Sequence, residues 1–250
     1  MRRLTSLVSL LVTFSLGAPC SGFAPTASSG GSSLRAPTRL MAADLKAPLY
    51  RPRLHRAPRA RVEGGTRGQD GTTSNVIPLV PDHIGLTIAT QPVLYWYLSK
   101  QTTSPVVFVL VDARSVQVLS RVTLTPPFQP GVQLLRLKQY GISLEQDVQY
   151  RWYVSVVLDP DAPSRDIVAG GMIQRITPDF DVSHLPSANT LEAVRFYAEA
   201  GLWYDAMAAI SDLISAAPHD HLLRKQRASL LTQVGLLEVA EWELRQAGKP

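Results

Sequence analysis

Apolar positions along this chain follow two different rhythms, and the change between them falls at Tyr197–Ala206, reading YAEAGLWYDA. Upstream, short runs rich in β-branched and aromatic residues are bounded by Pro, Gly, Asn and Asp. They are VIPLV (76–80), GLTIA (85–89), VLYWYLS (93–99), VVFVLVDA (106–113), VQVLSRVTL (116–124), VQLLRL (132–137), VQYRWYVSVVL (148–158) and GMIQRIT (171–177). Runs of this length with these boundaries predict strands. No helical stretch alternates with them, so an antiparallel β-sandwich over 63–178 is expected and a doubly wound parallel sheet is not. Downstream the spacing becomes helical. Leu191, Val194, Tyr197 and Ala198 share one face, and Ala206, Ala209, Ile210, Leu213 and Ile214 share the next. Leu222, Leu223, Leu230, Leu231 and Val234 mark a third helix and 236–247 a fourth, with breaks at Gly201, Pro218 and Gly235.

Side chains alternate across a strand, which orients the aromatic clusters. Trp96 points away from Tyr95 and Tyr97, and Tyr150 and Trp152 share a face opposite Arg151 and Tyr153. Trp96, Tyr150 and Trp152 are therefore expected in the core. Leu144 lies six residues before Tyr150 in ISLEQDVQYRWYV, which resembles the tyrosine corner of fibronectin type III and immunoglobulin-like domains. In the helical half, Ala206, Ile210 and Pro218 behind the Gly201 turn are similar to the second helix of a tetratricopeptide hairpin. The expected class is α+β in two parts: an immunoglobulin/fibronectin-like antiparallel sandwich, then a short tetratricopeptide-like helical-hairpin unit over 188–248. Trp203, Tyr204 and Asp205 read as a helix start, with the two aromatic rings at the seam between the parts. Their functional reading is a peptide-binding groove.

Before the strands the pattern is different again. Arg2 and Arg3 precede Leu4–Leu16, an uncharged apolar run too short to span a bilayer and suited to a signal peptide over 1–22. Residues 23–62 are rich in Ser, Pro, Ala and Arg, and predict a disordered basic arm or transit segment. SGFAPTASSGGSSLRAPTRLMA behind a signal peptide resembles the two-part presequences of algae with secondary plastids, so a plastid is expected, with secretion or a periplasm as the alternative. The lone cysteine, Cys20, ends the apolar run, and Pro19 before it fits a lipobox poorly. Charge is segregated as well. Arg35, Arg39, Lys46, Arg51, Arg53, Arg56, Arg59, Arg61 and Arg67 face only Asp44 and Glu63, so the chain's net +5 belongs to the arm. That arm lacks the interleaved aromatics on which bases stack, so nucleic acid is not an expected partner, and membrane contact is confined to the signal or the arm.

Candidate chemistry is sparse. The GGTRG at 64–68 lacks the Lys-Ser/Thr pair of a phosphate loop, and Gly64, Gly65 and Gly68 read as a structural turn, leaving Arg67 to meet a carboxylate. DPDAPSRD (159–166) is broken by Pro160 and Pro163, so a strand-connecting loop with Arg165 neutralising an aspartate is expected in place of a calcium loop. His219 and His221 flank Asp220 at a helix-helix loop with no third ligand at helical spacing. No Gly-x-Ser-x-Gly elbow is present. Neither a metal nor a cofactor is expected, and no catalytic residue is assigned.

GGTRG, IGLTIATQPVLYWYL, YRWYVSVVLDP with DIVAGGMIQR, and YAEAGLWYDAMAAI together resemble the successive blocks of the cyanobacterial domain of unknown function 928. The resemblance runs from Glu63 to the C-terminus and implies no established activity. A cysteine common after GGTRG in that family is replaced by Gln69-Asp70, which withdraws a redox or disulfide role there. The leading expectation is a non-catalytic binding or scaffold protein whose partner is another protein of its compartment. A carbohydrate or cell-envelope module is the alternative, requiring Tyr95, Tyr97 and Tyr153 to be exposed. An enzyme with residues assembled from distant parts of the chain is the third.

Overall fold

A computed structural model describes residues 46–53, 60–67 and 73–248, all within one compact unit, Leu40–Pro250. The fold is α+β. Nine strands precede four helices: β1 (Gly64–Arg67), β2 (Thr73–Pro78), β3 (Gly85–Thr87), β4 (Val93–Leu98), β5 (Val106–Asp112), β6 (Val118–Leu124), β7 (Gly131–Arg136), β8 (Gln149–Val156), β9 (Ile167–Arg175), α1 (Leu191–Glu199), α2 (Trp203–Ala216), α3 (His221–Gln233) and α4 (Leu237–Ala247). One sheet has the order β1-β2-β4-β7 and the other β3-β9-β8-β5-β6.

The expected antiparallel order holds for every pair except one. β3 lies parallel to β9, with Leu86 opposite Gln174. This three-residue edge strand pairs with the last strand of the fold, a long-range choice that local alternation does not encode. The expected turn at GGTRG is also corrected, because Gly64–Arg67 is strand β1, in register with β2 from Gly64↔Val76 to Arg67↔Thr73. Just before it, Val62 bridges Gly170 in the other sheet, so the chain passes from one sheet to the other at this point. Gly64 is required by that passage, since a Cβ there would stand 2.5 Å from the Val168 carbonyl oxygen. Gly65 lies within the same strand, while Gly68 lies outside the described residues, as do the expected signal peptide and the expected arm through residue 45 and over 54–59.

Trp96, Tyr150 and Trp152 are buried in the core. The Tyr150 hydroxyl accepts the Glu145 backbone N–H at 2.9 Å, tying strand β8 back to the segment that precedes it. β4 departs from simple alternation: Leu94 through Leu98 are all buried, so Tyr95 and Tyr97 are covered as well as Trp96. The helices cover that second face, with the Tyr97 ring edge-on to Trp242 of α4 at 5.6 Å. One apolar cluster contains side chains of both sheets and of α1 to α4. The two stretches with different rhythms thus share a single core.

The helix boundaries follow local chemistry. Thr190 caps α1 by accepting the Ala193 N–H, and Asp220 caps α3 by accepting those of Leu222 and Leu223. Gly201, at φ 73°, makes the left-handed turn between α1 and α2 that side chains with a Cβ disfavour.

The arm expected to remain unfolded as far as Arg61 is ordered in part. Residues 46–53 lie along the helices as an extended strap. The Arg51 N–H donates to the Ala198 carbonyl at 3.1 Å, the Tyr50 N–H to Gln233 Oε1 at 2.8 Å, and Gln233 Nε2 to the Pro48 carbonyl at 2.8 Å. Arg53 pairs with Asp179 at 2.9 Å. Averaged composition hides Tyr50, whose burial against Trp203 offsets the ordering of a polar segment.

Candidate functional site

The residues singled out around the start of α2 converge on the seam. Trp203 donates its indole N–H to the Leu79 carbonyl at 2.8 Å, in the stretch between β2 and β3. The Tyr204 hydroxyl donates to the Met172 carbonyl of β9 at 3.0 Å and accepts the Trp152 indole N–H at 2.8 Å. Asp205 accepts the Ile88 N–H at 3.1 Å, just past β3. Burial raises the Asp205 carboxyl to about 7 against these hydrogen bonds, which pull it down. Trp203 and Tyr204 have almost no solvent exposure, so they hold the helices to the sheets and offer no surface to a ligand. Arg67 ends β1. On β4, Tyr95 is 2% and Tyr97 4% exposed, which leaves no aromatic platform there for a sugar, while Tyr153 of β8 is half-buried.

Two concave places remain beside the helices. One, of about 310 Å³, adjoins the strap and is lined by Tyr50, Pro52, Pro81, Asp82, His83 and Gln233. Its aromatic groups satisfy each other: the Tyr50 hydroxyl and His83 Nε2 are 2.9 Å apart and the rings stack.

The other is a cleft of about 260 Å³ between β4 and β7 on one side and α2, α3 and α4 on the other. Val132, Leu134, Ile214, Pro218 and Trp242 supply apolar walls, and Arg224, Arg227, Ser211 and Tyr95 line it too. Leu134 is 42% exposed at this cleft. Glu243 has no exposure and binds both arginines, Arg227 Nη2 at 2.5 Å and Arg224 Nη1 at 3.2 Å. Arg227 also donates to Ser211 Oγ at 3.1 Å. Burial lowers the Arg227 pKa, while the Glu243 carboxylate supports its charge. Burial, with the Asp212 carboxylate nearby, pushes the Tyr95 phenol up to about 12.

Reading the sequence for motifs missed this cleft. A signal was present: Arg227 continues the apolar stripe of Leu223, Leu230 and Leu231, and Glu243 that of Val239, Ala240 and Ala247. Opposite charges in the buried stripes of two successive helices predict a buried pair. Elsewhere the expected polar roles are filled locally. Arg165 meets Asp159 at 3.2 Å, and Asp220 between His219 and His221 caps α3. Among the described residues, no group of three His, Cys, Asp or Glu side chains is placed to hold a metal ion.

Fold and site together define a β-rich α+β module in which a helical layer closes over one sheet and leaves a cleft of mixed apolar and cationic character. The family model described as Domain of Unknown Function (DUF928) matches residues 62–244, and the chain belongs to that family. No curated protein is significantly similar in sequence. Among solved structures, the C-terminal domain of wzt is similar at 12% identity with a TM-score of 0.28, over 54% of this chain and 84% of that one. A multi-domain immunophilin from Arabidopsis thaliana is similar at 11% identity with a TM-score of 0.18, over 70% and 94% of the two chains. Both scores are too low to bear on the fold or the site.

Proposed function

We propose that this chain is a non-catalytic binding or scaffold module that holds another protein of its compartment. The cleft between β7 and the helices carries this reading. It pairs exposed Leu134 with apolar walls, buried Arg227 and half-buried Arg224, and such a mixture suits a protein segment better than a reacting small molecule. The finer architecture belongs to the same proposal: a sandwich of immunoglobulin or fibronectin type III character, supported by the Tyr150 hydroxyl on the Glu145 N–H, and tetratricopeptide-like hairpins, supported by the Gly201 turn between α1 and α2.

Affinity capture from the native compartment tests the reading when wild type is compared with Leu134→Arg. A specific protein recovered by the wild type and lost by the variant is expected. Equal recovery by both would remove the cleft as the contact surface.

Localisation is proposed separately, on the acid-poor Ser/Arg composition behind the apolar N-terminal run. Residues 1–61 fused to a fluorescent protein are expected to reach a plastid in an algal host, and export of the fusion would refute this. No helix among the described residues is long and apolar enough to cross a membrane.

A further inference from the structure

The cleft combines apolar walls with an excess of positive charge. Arg136 is matched by Asp212 at 3.0 Å, whereas Arg224 and Arg227 share the one carboxylate of Glu243. One guanidinium charge is left over. The three groups lie where water screens charge weakly, with Glu243 fully buried and the Arg227 and Arg224 side chains 6% and 19% exposed. A donor behind the cleft is also unused, since Arg227 Nε is buried without a hydrogen-bond partner. Buried polar groups ordinarily find partners, so this shell favours an incoming acceptor.

We propose that the cleft takes a glutamate side chain from an extended segment of the partner protein, an inference that rests on the binding reading above. Glutamate brings both required characters. Its methylenes suit Ile214, Pro218 and Trp242, and its carboxylate balances the surplus charge at Arg224, whose side chain keeps 19% of its surface in solvent. Arg227, deeper and held by Glu243 and Ser211, is a positioning residue for Arg224's partner carboxylate.

The test uses the full chain and an array of random short synthetic peptides blocked at both ends. Bound peptides are expected to be enriched in Glu flanked by apolar residues. Changing that Glu to Gln in the best binder should weaken binding by about tenfold to hundredfold, the worth of a hydrogen bond to a charged group. Arg224→Gln, which leaves Glu243 its bond to Arg227, should erase the preference for Glu, and Arg224→Glu should shift selection toward Lys and Arg, with folding of both checked by thermal unfolding. Binders that lack an acid, or that lose nothing on the change to Gln, overturn the glutamate while leaving the binding module standing. Competition by free glutarate as effective as the peptide overturns the protein segment in favour of a small acid. Absence of any binder sensitive to Leu134→Arg counts against both proposals.

Discussion

The Trp152 indole N–H donates to the Tyr204 hydroxyl at 2.8 Å, joining the middle of β8 to the first turn of α2 inside the core. The same hydroxyl donates a hydrogen bond to the Met172 carbonyl of β9 at 3.0 Å, so one phenol oxygen links a helix to two adjacent strands. Tyr204→Phe keeps the ring and strands both partners without a hydrogen bond. Leaving buried groups unpaired costs about 1–3 kcal/mol each, so equilibrium denaturation should show a loss of about 2–6 kcal/mol for the two. A variant as stable as wild type would show that the relay contributes nothing.

The shared core gives a second expectation. Cutting the chain before Thr190 removes Trp203, Tyr204, Met207 and Ile210, all with almost no exposure, and uncovers Tyr95 and Tyr97. The remaining strands should then lack a cooperative unfolding transition in calorimetry. A sandwich that still melts cooperatively would mean that the two parts are independent domains.

Asp205 sets a dependence on pH. Its carboxyl is raised in the folded state from 3.8 to about 7, chiefly by burial. Between those values the folded chain binds more protons than the unfolded one, so stability is greatest below the unfolded value and falls as pH rises toward about 7. Urea midpoints measured across this window should decline for wild type and flatten in Asp205→Asn. Parallel curves for the two proteins would reject the assignment.

Much of this organisation was legible in the chain. Helical spacing located α1 to α4, and alternation around Trp96, Tyr150 and Trp152 identified core residues, because both signals depend on neighbours only a few positions apart. What escaped depends on distant partners. β1 is a strand because it pairs with β2, Gly64 is needed where it passes Val168 of β9, and the strap is ordered because Tyr50 finds Trp203 and His83. Burial of Tyr95 and Tyr97 needed a helical layer on the outer face of β4, which alternation within that strand does not announce. Arg227 and Glu243 were visible as charges in apolar stripes, but only together do they describe a site.

Removing Glu243 should be severe. Glu243→Ala leaves Arg227 buried without its counter-charge and withdraws the partner of Arg224, and breaking a buried pair from one side costs about 3–5 kcal/mol. Replacing Glu243 and Arg227 together with leucine should restore most of the thermal stability. A single variant with an unchanged melting temperature would show that the pair is not enclosed in solution.

Hydrogen exchange of the full chain, alone and with its captured partner, tests the binding cleft most directly. Added protection is expected on Val132–Leu134 of β7 and on the stretch from Ser211 to Arg224 that faces it. Protection confined to other surfaces, with these segments unchanged, would contradict it.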